Sequence, residues 1–162
     1  MLNKERGFLE PSLVEFEQRF YITLRAGDGR GYVSVSCDGL TFQDPQAWLW
    51  DDGTELVTGD TQQHWVKHRG ELWLAYTRVR EDNSHVFRHR APLFLAKMDP
   101  KGPCLLRDTE QVLVPQRGAR LGNFQVTKIS AQETWITVSE WMQPVGCQVY
   151  GSDNTIFIAK LL

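Results

Sequence analysis

The run His85-Val86-Phe87-Arg88-His89-Arg90 sets two guanidinium groups and two imidazoles side by side, followed directly by Ala91-Pro92-Leu93-Phe94. Guanidinium forks hold carboxylates or phosphates through paired hydrogen bonds and keep their charge at any ordinary pH. Such a segment, packed beside Phe and Pro, is built to bind an anion rather than to serve as plain surface. Arg78, at the end of Tyr76-Thr77-Arg78, and Arg117 and Arg120, in Val114-Pro115-Gln116-Arg117-Gly118-Ala119-Arg120, are available to converge with it. The histidines fall in two pairs, His64/His68 and His85/His89, each spaced i, i+4. That spacing converges on a helix face, but on a strand it leaves the rings about 13 Å apart. No HExxH motif or cysteine partner accompanies them. We expect no metal and no cofactor, and we read Gln63, His64 and His85 as polar contacts in a cleft.

The bulk composition narrows the partners. Lys and Arg number 18 against 20 Asp and Glu, a formal charge of −2, so no broad basic field exists to attract a phosphate backbone. Nucleic acid is not expected. No apolar run approaches the roughly 20 residues that span a bilayer, and Met1-Leu2-Asn3-Lys4-Glu5-Arg6 lacks the apolar core of a secretory signal, so a cytoplasmic location is expected. Cys37, Cys104 and Cys147 are odd in number and widely spaced, which fits reduced thiols. Six Trp and four Tyr suit both β-sheets and sugar-binding clefts, where rings stack on apolar sugar faces.

Short stretches of alternating apolar and polar residues, separated by turn residues, recur along the whole chain. Leu13 to Phe16 and Phe20 to Arg25 form a hairpin around Glu17-Gln18-Arg19. Tyr32 to Ser36 alternates cleanly and stops at Asp38-Gly39. His64 to His68 and Leu72 to Tyr76 pair across Arg69-Gly70. Leu93 to Met98, Gln111 to Val114, Phe124 to Ile129, Thr134 to Trp141 and Thr155 to Leu161 continue the series, with shorter strands at Trp48 to Trp50, Glu55 to Thr58 and Leu105 to Arg107. About twelve strands without a long helix predict an all-β single domain over residues 1–162, and sandwiches, barrels and propellers are the architectures that fit.

Ser36-Cys37-Asp38-Gly39-Leu40-Thr41-Phe42 resembles the Asp-box (BNR) turn of sialidase (neuraminidase)-type β-propellers, S-x-D-x-G-x-T-W, one residue short and ending in Phe42 in place of Trp. In such a turn the Ser and Asp oxygens accept backbone N–H groups and the Gly takes a left-handed φ. Glu10-Pro11-Ser12, Val14-Glu15 and Leu24-Arg25 resemble the opening of a blade in the same family. The resemblance implies about three four-stranded antiparallel blades, half of a six-bladed propeller. It implies that Arg25 joins Arg78, Arg88, Arg90 and Arg120 around a substrate carboxylate, and that Glu10 activates a tyrosine nucleophile. Tyr150 and Glu140 are the remaining candidates for nucleophile and acid.

Three readings follow. The first is a sialidase-like protein that binds or hydrolyses an acidic sugar. The second is a glycan-binding module without catalysis. The third is a five-bladed furanosidase type using carboxylates from Glu10, Asp38, Asp82 and Glu140. Because half a ring would leave sheet edges and apolar faces in water, homo-oligomerisation through those faces is expected.

Overall fold

A computed structural model describes residues 7–162. The chain forms three antiparallel sheets, and its helical segments among the described residues are single 3-10 turns. The first sheet runs in order through β1 (Phe8–Phe16), β2 (Arg19–Ala26), β3 (Gly31–Ser36) and β4 (Gln46–Ala47). The second is β5 (His64–His68), β6 (Glu71–Tyr76) and β7 (Leu93–Asp99), whose far edge is shared by β8 (Cys104–Leu105) and β9 (Gln111–Val114). In the third, β12 (Thr134–Trp141) pairs with β10 (Arg120–Leu121) and β11 (Gln125–Lys128), and with β13 (Ile156–Leu161). The architecture is all-β and propeller-like, with three blades as expected. Two are four strands deep, whereas the described part of the third is three deep.

Turn chemistry sets the meanders. Glu17 and Gln18 both take left-handed φ between β1 and β2, and Arg69-Gly70 do so between β5 and β6, the twist-matched geometry of two-residue hairpins. The expected strand at Trp48 to Trp50 is instead a pair of isolated bridges, Leu49 to Glu55 and Trp50 to Leu105. The two indoles are buried plugs between the first and second sheets.

Packing explains why the middle sheet reads as nearly continuous apolar sequence. Trp65, Leu74 and Phe94 belong to a cluster shared with Tyr21, Val33 and Trp48 of the first sheet. Their neighbours Val66, Ala75 and Leu95 belong to a second cluster shared with Leu121, Phe124, Ile136 and Val138 of the third. Successive side chains on a strand point to opposite faces, so this sheet is covered on both. The outer sheets each turn one face outward, where Leu13 is 57% and Ile156 73% exposed.

Gln63 corrects an expectation. It does not face a ligand; it is buried between the first two sheets. Its Oε1 accepts hydrogen bonds from Thr23 Oγ1 and from Trp48 Nε1 (3.0 Å), and its Nε2 donates to Thr58 Oγ1 (3.2 Å). An amide taken out of water must be satisfied in this way. Gly31 makes room for it, because a Cβ at that position would land on Gln63 Nε2.

The turn between β3 and β4 has the expected wiring. Ser36 Oγ accepts the N–H groups of Asp38 (3.2 Å) and Gly39 (2.9 Å), while Asp38 Oδ1 accepts those of Leu40 and Thr41 (both 2.8 Å). Gly39 has φ 74°. These donors, Thr41 and Leu40 first and Ser36 after them, lower the Asp38 carboxyl to about 2.

Two outcomes are predicted. Gly31→Ala should lower unfolding stability by roughly 2 kcal/mol by breaking the buried amide network, while Gly102→Ala, which meets open space, should leave denaturant midpoints unchanged. Because the folded pKa of Asp38 lies below its unfolded value, its stabilisation is present above about pH 4 and is lost as the pH falls towards about 2. Asp38→Asn should flatten that part of the stability curve measured by thermal melts.

Candidate functional site

Strand direction decides which loops meet. β5 touches β1 of the first sheet and β11 of the third, and residues near the starts of all three strands lie together. Glu10, Pro11, Gln62, His64, Asn123 and Gln125 line one hollow of about 250 Å³. In an antiparallel meander the second strand of each sheet ends where the first begins. The second-to-third connections therefore emerge around this hollow, and the third-to-fourth turns emerge at the opposite end. Arg25 at the close of β2, the 77–92 loop after β6 and the 142–155 loop after β12 all belong to the first group.

Arg25 is the hub. Its Nε donates to Glu10 Oε2 (2.7 Å) and its Nη2 to Glu10 Oε1 (3.2 Å), and its Nη1 pairs with Asp60. Arg88 pairs with Asp60 Oδ2 at 3.0 Å, and Arg90 donates to Asn123 Oδ1 at 2.8 Å. Gln62 donates to the Phe124 carbonyl (2.8 Å), and the His64 ring meets the Phe124 ring edge-on at 5.1 Å.

The electrostatics follow from this crowding. The Arg25 hydrogen bonds hold Glu10 below the usual carboxylate range against an opposing burial effect, helped by the charges of Arg25, Arg90 and Arg88. Burial, then the like charges of Arg88 and Arg120, depress Arg90. Burial also depresses His64, which is thereby kept neutral at ordinary pH, with the Glu10 charge opposing.

The structure thus brings Glu10, Arg25, His64 and Arg90 together at the hollow, with Arg88 joined to them through Asp60 and Arg120 held against Phe87 of the same loop as Arg88 and Arg90. Glu10 is bonded by Arg25, and no tyrosine bonds it among the described residues. Other expected residues lie elsewhere. Arg78 is paired bidentately with Glu110 and lies over Trp50 and Phe94. Glu140 is buried, bound by Arg117 and by the N–H groups of Asp153 and Thr155, which makes it a loop clamp rather than a proton donor. Tyr150 stacks on His85 at 4.4 Å, and His85 Nε2 meets Gln116 Oε1 at 2.9 Å. Asp82 pairs with Arg80, and Asp38 sits in a third-to-fourth turn at the far end. Among the described residues no three His, Cys, Asp or Glu side chains form a metal-holding group.

Asp60, Gln62 and Asn123 were not singled out from sequence. The available signal was position: each lies two to four residues ahead of an inner strand.

No protein-family model and no curated protein matches the chain. Solved structures do share its fold. The NanB sialidase of Streptococcus pneumoniae, as its K499G mutant, superposes with a TM-score of 0.65 at 13% identity, over 98% of this chain and 24% of that one. A xylan β-1,4-xylosidase from Bacillus halodurans C-125 gives 0.60 at 12% identity, over 86% and 26%. A thermostable family-43 glycoside hydrolase gives 0.59 at 14%, over 86% and 43%. This chain therefore spans less than half the length of these structures. At such identities the likeness is one of fold, and the fold is that of the glycosidase propellers.

Carbon-detected NMR titration should find the Glu10 carboxyl below the ordinary glutamate range in the wild-type protein and displaced upward in Arg25→Ala. An unmoved value would show that Arg25 does not govern it. The sign for stability is fixed: with a lowered folded pKa, the pair stabilises above the unfolded glutamate pKa and fails as pH falls through the folded one.

Proposed function

We propose that the chain carries part of the carbohydrate-binding cleft of a glycosidase-type propeller and that the hollow at Glu10, His64 and Asn123 takes an acidic sugar. The observation that carries this reading is the excess of cations. Arg25 and Arg90 are bonded to Glu10 and Asn123 at the hollow's edge, Arg88 shares Asp60 with Arg25, and among the described residues neither Arg90 nor Arg120 is ion-paired with a carboxylate. A sugar carboxylate would supply the missing charge, and bidentate guanidinium contacts would orient it. Glu10 and Asn123 would then accept and donate hydrogen bonds to hydroxyls.

Binding is favoured over hydrolysis by these residues alone. Only Glu10 and His64 titrate among the side chains lining the hollow. Glu10 is held ionised, so it cannot give a proton to a leaving group, and two-carboxylate glycosidases need a second, protonated acid. A second reading, cleavage of neutral pentosides with Glu10 as base, is favoured by the ionised Glu10 at the hollow and by the fold shared with the family-43 structure.

Isothermal titration calorimetry separates the two readings. N-acetylneuraminic acid should bind the wild-type chain, and Arg90→Ala should weaken it by about tenfold or more, the scale of one charge-assisted hydrogen bond. Xylotriose should bind no better than background. Equal binding of xylotriose, or an unchanged affinity in Arg90→Ala, would sink the acidic-sugar reading.

A further inference from the structure

The exposed aromatic rim beside the arginine cluster has no part in the site described above. Arg120 opens β10, opposite Trp141 at the end of β12. Its guanidinium lies 3.4 Å from the centroid of the Trp141 ring and 5.1 Å from that of Phe87. Arg120 is only 6% exposed, whereas Trp141 is 51% and Phe87 46% exposed. A buried cation without a carboxylate partner among the described residues is costly unless aromatic faces stabilise it. The two rings do so. In return Arg120 fixes the indole and occupies one of its faces, while much of the ring remains open to solvent.

The same short segment links this rim to the hollow. Phe87 touches Arg120, Arg88 pairs with Asp60, and Arg90 donates to Asn123 while its carbonyl accepts the N–H of Leu121 at 2.9 Å. Arg88 and His89 take left-handed φ of 58° and 53°, conformations that side-chain-bearing residues rarely hold without a surrounding reason. The tight turn sends its side chains in different directions, Phe87 to the rim, Arg88 to Asp60, His89 to Asn83 and Arg90 to Asn123 at the hollow. Phe87 and Arg90 are three positions apart, so their backbones lie within about 11 Å, a span comparable to two linked pyranose rings.

We propose that Trp141, steadied by Arg120 and flanked by Phe87, is a second sugar subsite that stacks the ring linked to the acidic sugar. This inference rests on the acidic-sugar reading of the hollow. An apolar pyranose face against a pre-positioned indole gains contact area at little cost in side-chain freedom. The subsite therefore selects oligosaccharides over the free acidic sugar.

Calorimetry with two probes tests it: N-acetylneuraminic acid and 3′-sialyllactose. The wild-type chain should bind the trisaccharide more tightly. Trp141→Ala should weaken the trisaccharide by about five- to tenfold and leave the monosaccharide unchanged. Trp141→Phe, which keeps a ring, should recover most of the loss. Unchanged trisaccharide affinity in Trp141→Ala would overturn the subsite. So would an equal loss for both probes, because Trp141 would then act only by supporting Arg120. If the wild-type chain bound neither probe, the reading of the hollow would fail, and the subsite with it, a result distinct from any seen in the variants.

Discussion

Covering one sheet on both faces is the constraint from which the rest of this structure follows. The middle blade has no polar face to offer water. Trp65 and Val66, Leu74 and Ala75, Phe94 and Leu95 alternate between two apolar clusters, so a sheet must pack on either side of it. Once both are in place, the inner strands β1, β5 and β11 lie side by side, and their starting ends define a common hollow. The buried amide of Gln63 strengthens one of these interfaces, tying Thr23 and Trp48 of the first sheet to the segment that leads into the second.

That geometry gathers charge as a by-product of connectivity. Loops joining second to third strands must emerge at one end, and those loops hold Arg88, Arg90 and the 142–155 segment, with Arg25 at the end of its own second strand. Four guanidinium groups would repel one another without compensation. Glu10 and Asp60 supply part of it through Arg25 and Arg88, and the rings of Phe87 and Trp141 supply more at Arg120. Arg90 keeps no carboxylate partner among the described residues and bonds Asn123 instead.

Several carboxylates that could pass for catalytic groups are structural. Glu140 closes the 142–155 loop by accepting two backbone N–H groups and Arg117, Glu110 locks Arg78 against Tyr76 and Phe94, and Asp38 shapes its turn. Each satisfies donors that would otherwise be buried or strained. The shared type, an ionised carboxylate bound by several donors, is common to turns and active sites, so residue type alone does not separate the two.

Local physics made much of the fold legible in the sequence. The limits of β5, β9 and β12 were legible, in β12 because a half-buried strand alternates and in β5 and β9 because short β-rich runs are bounded by turn residues. The turns at Asp38-Gly39 and Arg69-Gly70 were readable because glycine takes left-handed φ without strain, whereas Glu17-Gln18, left-handed without a glycine, was legible only from the strands on either side. The Arg and His run at 85–90 stood out in the sequence as a cluster of cations, and in the fold its members bond Gln116, Asp60, Asn83 and Asn123. Only the tertiary structure decided which side chains met. Gln63 and His64 are adjacent, yet successive residues on an extended chain point to opposite sides, one into an interface and the other into the hollow. Arg78 and Arg88 share a loop, but Glu110 captures one and Asp60 the other, and those partners come from segments distant in the chain. Spacing along a sequence carries no information about that choice; it is made when the sheets pack.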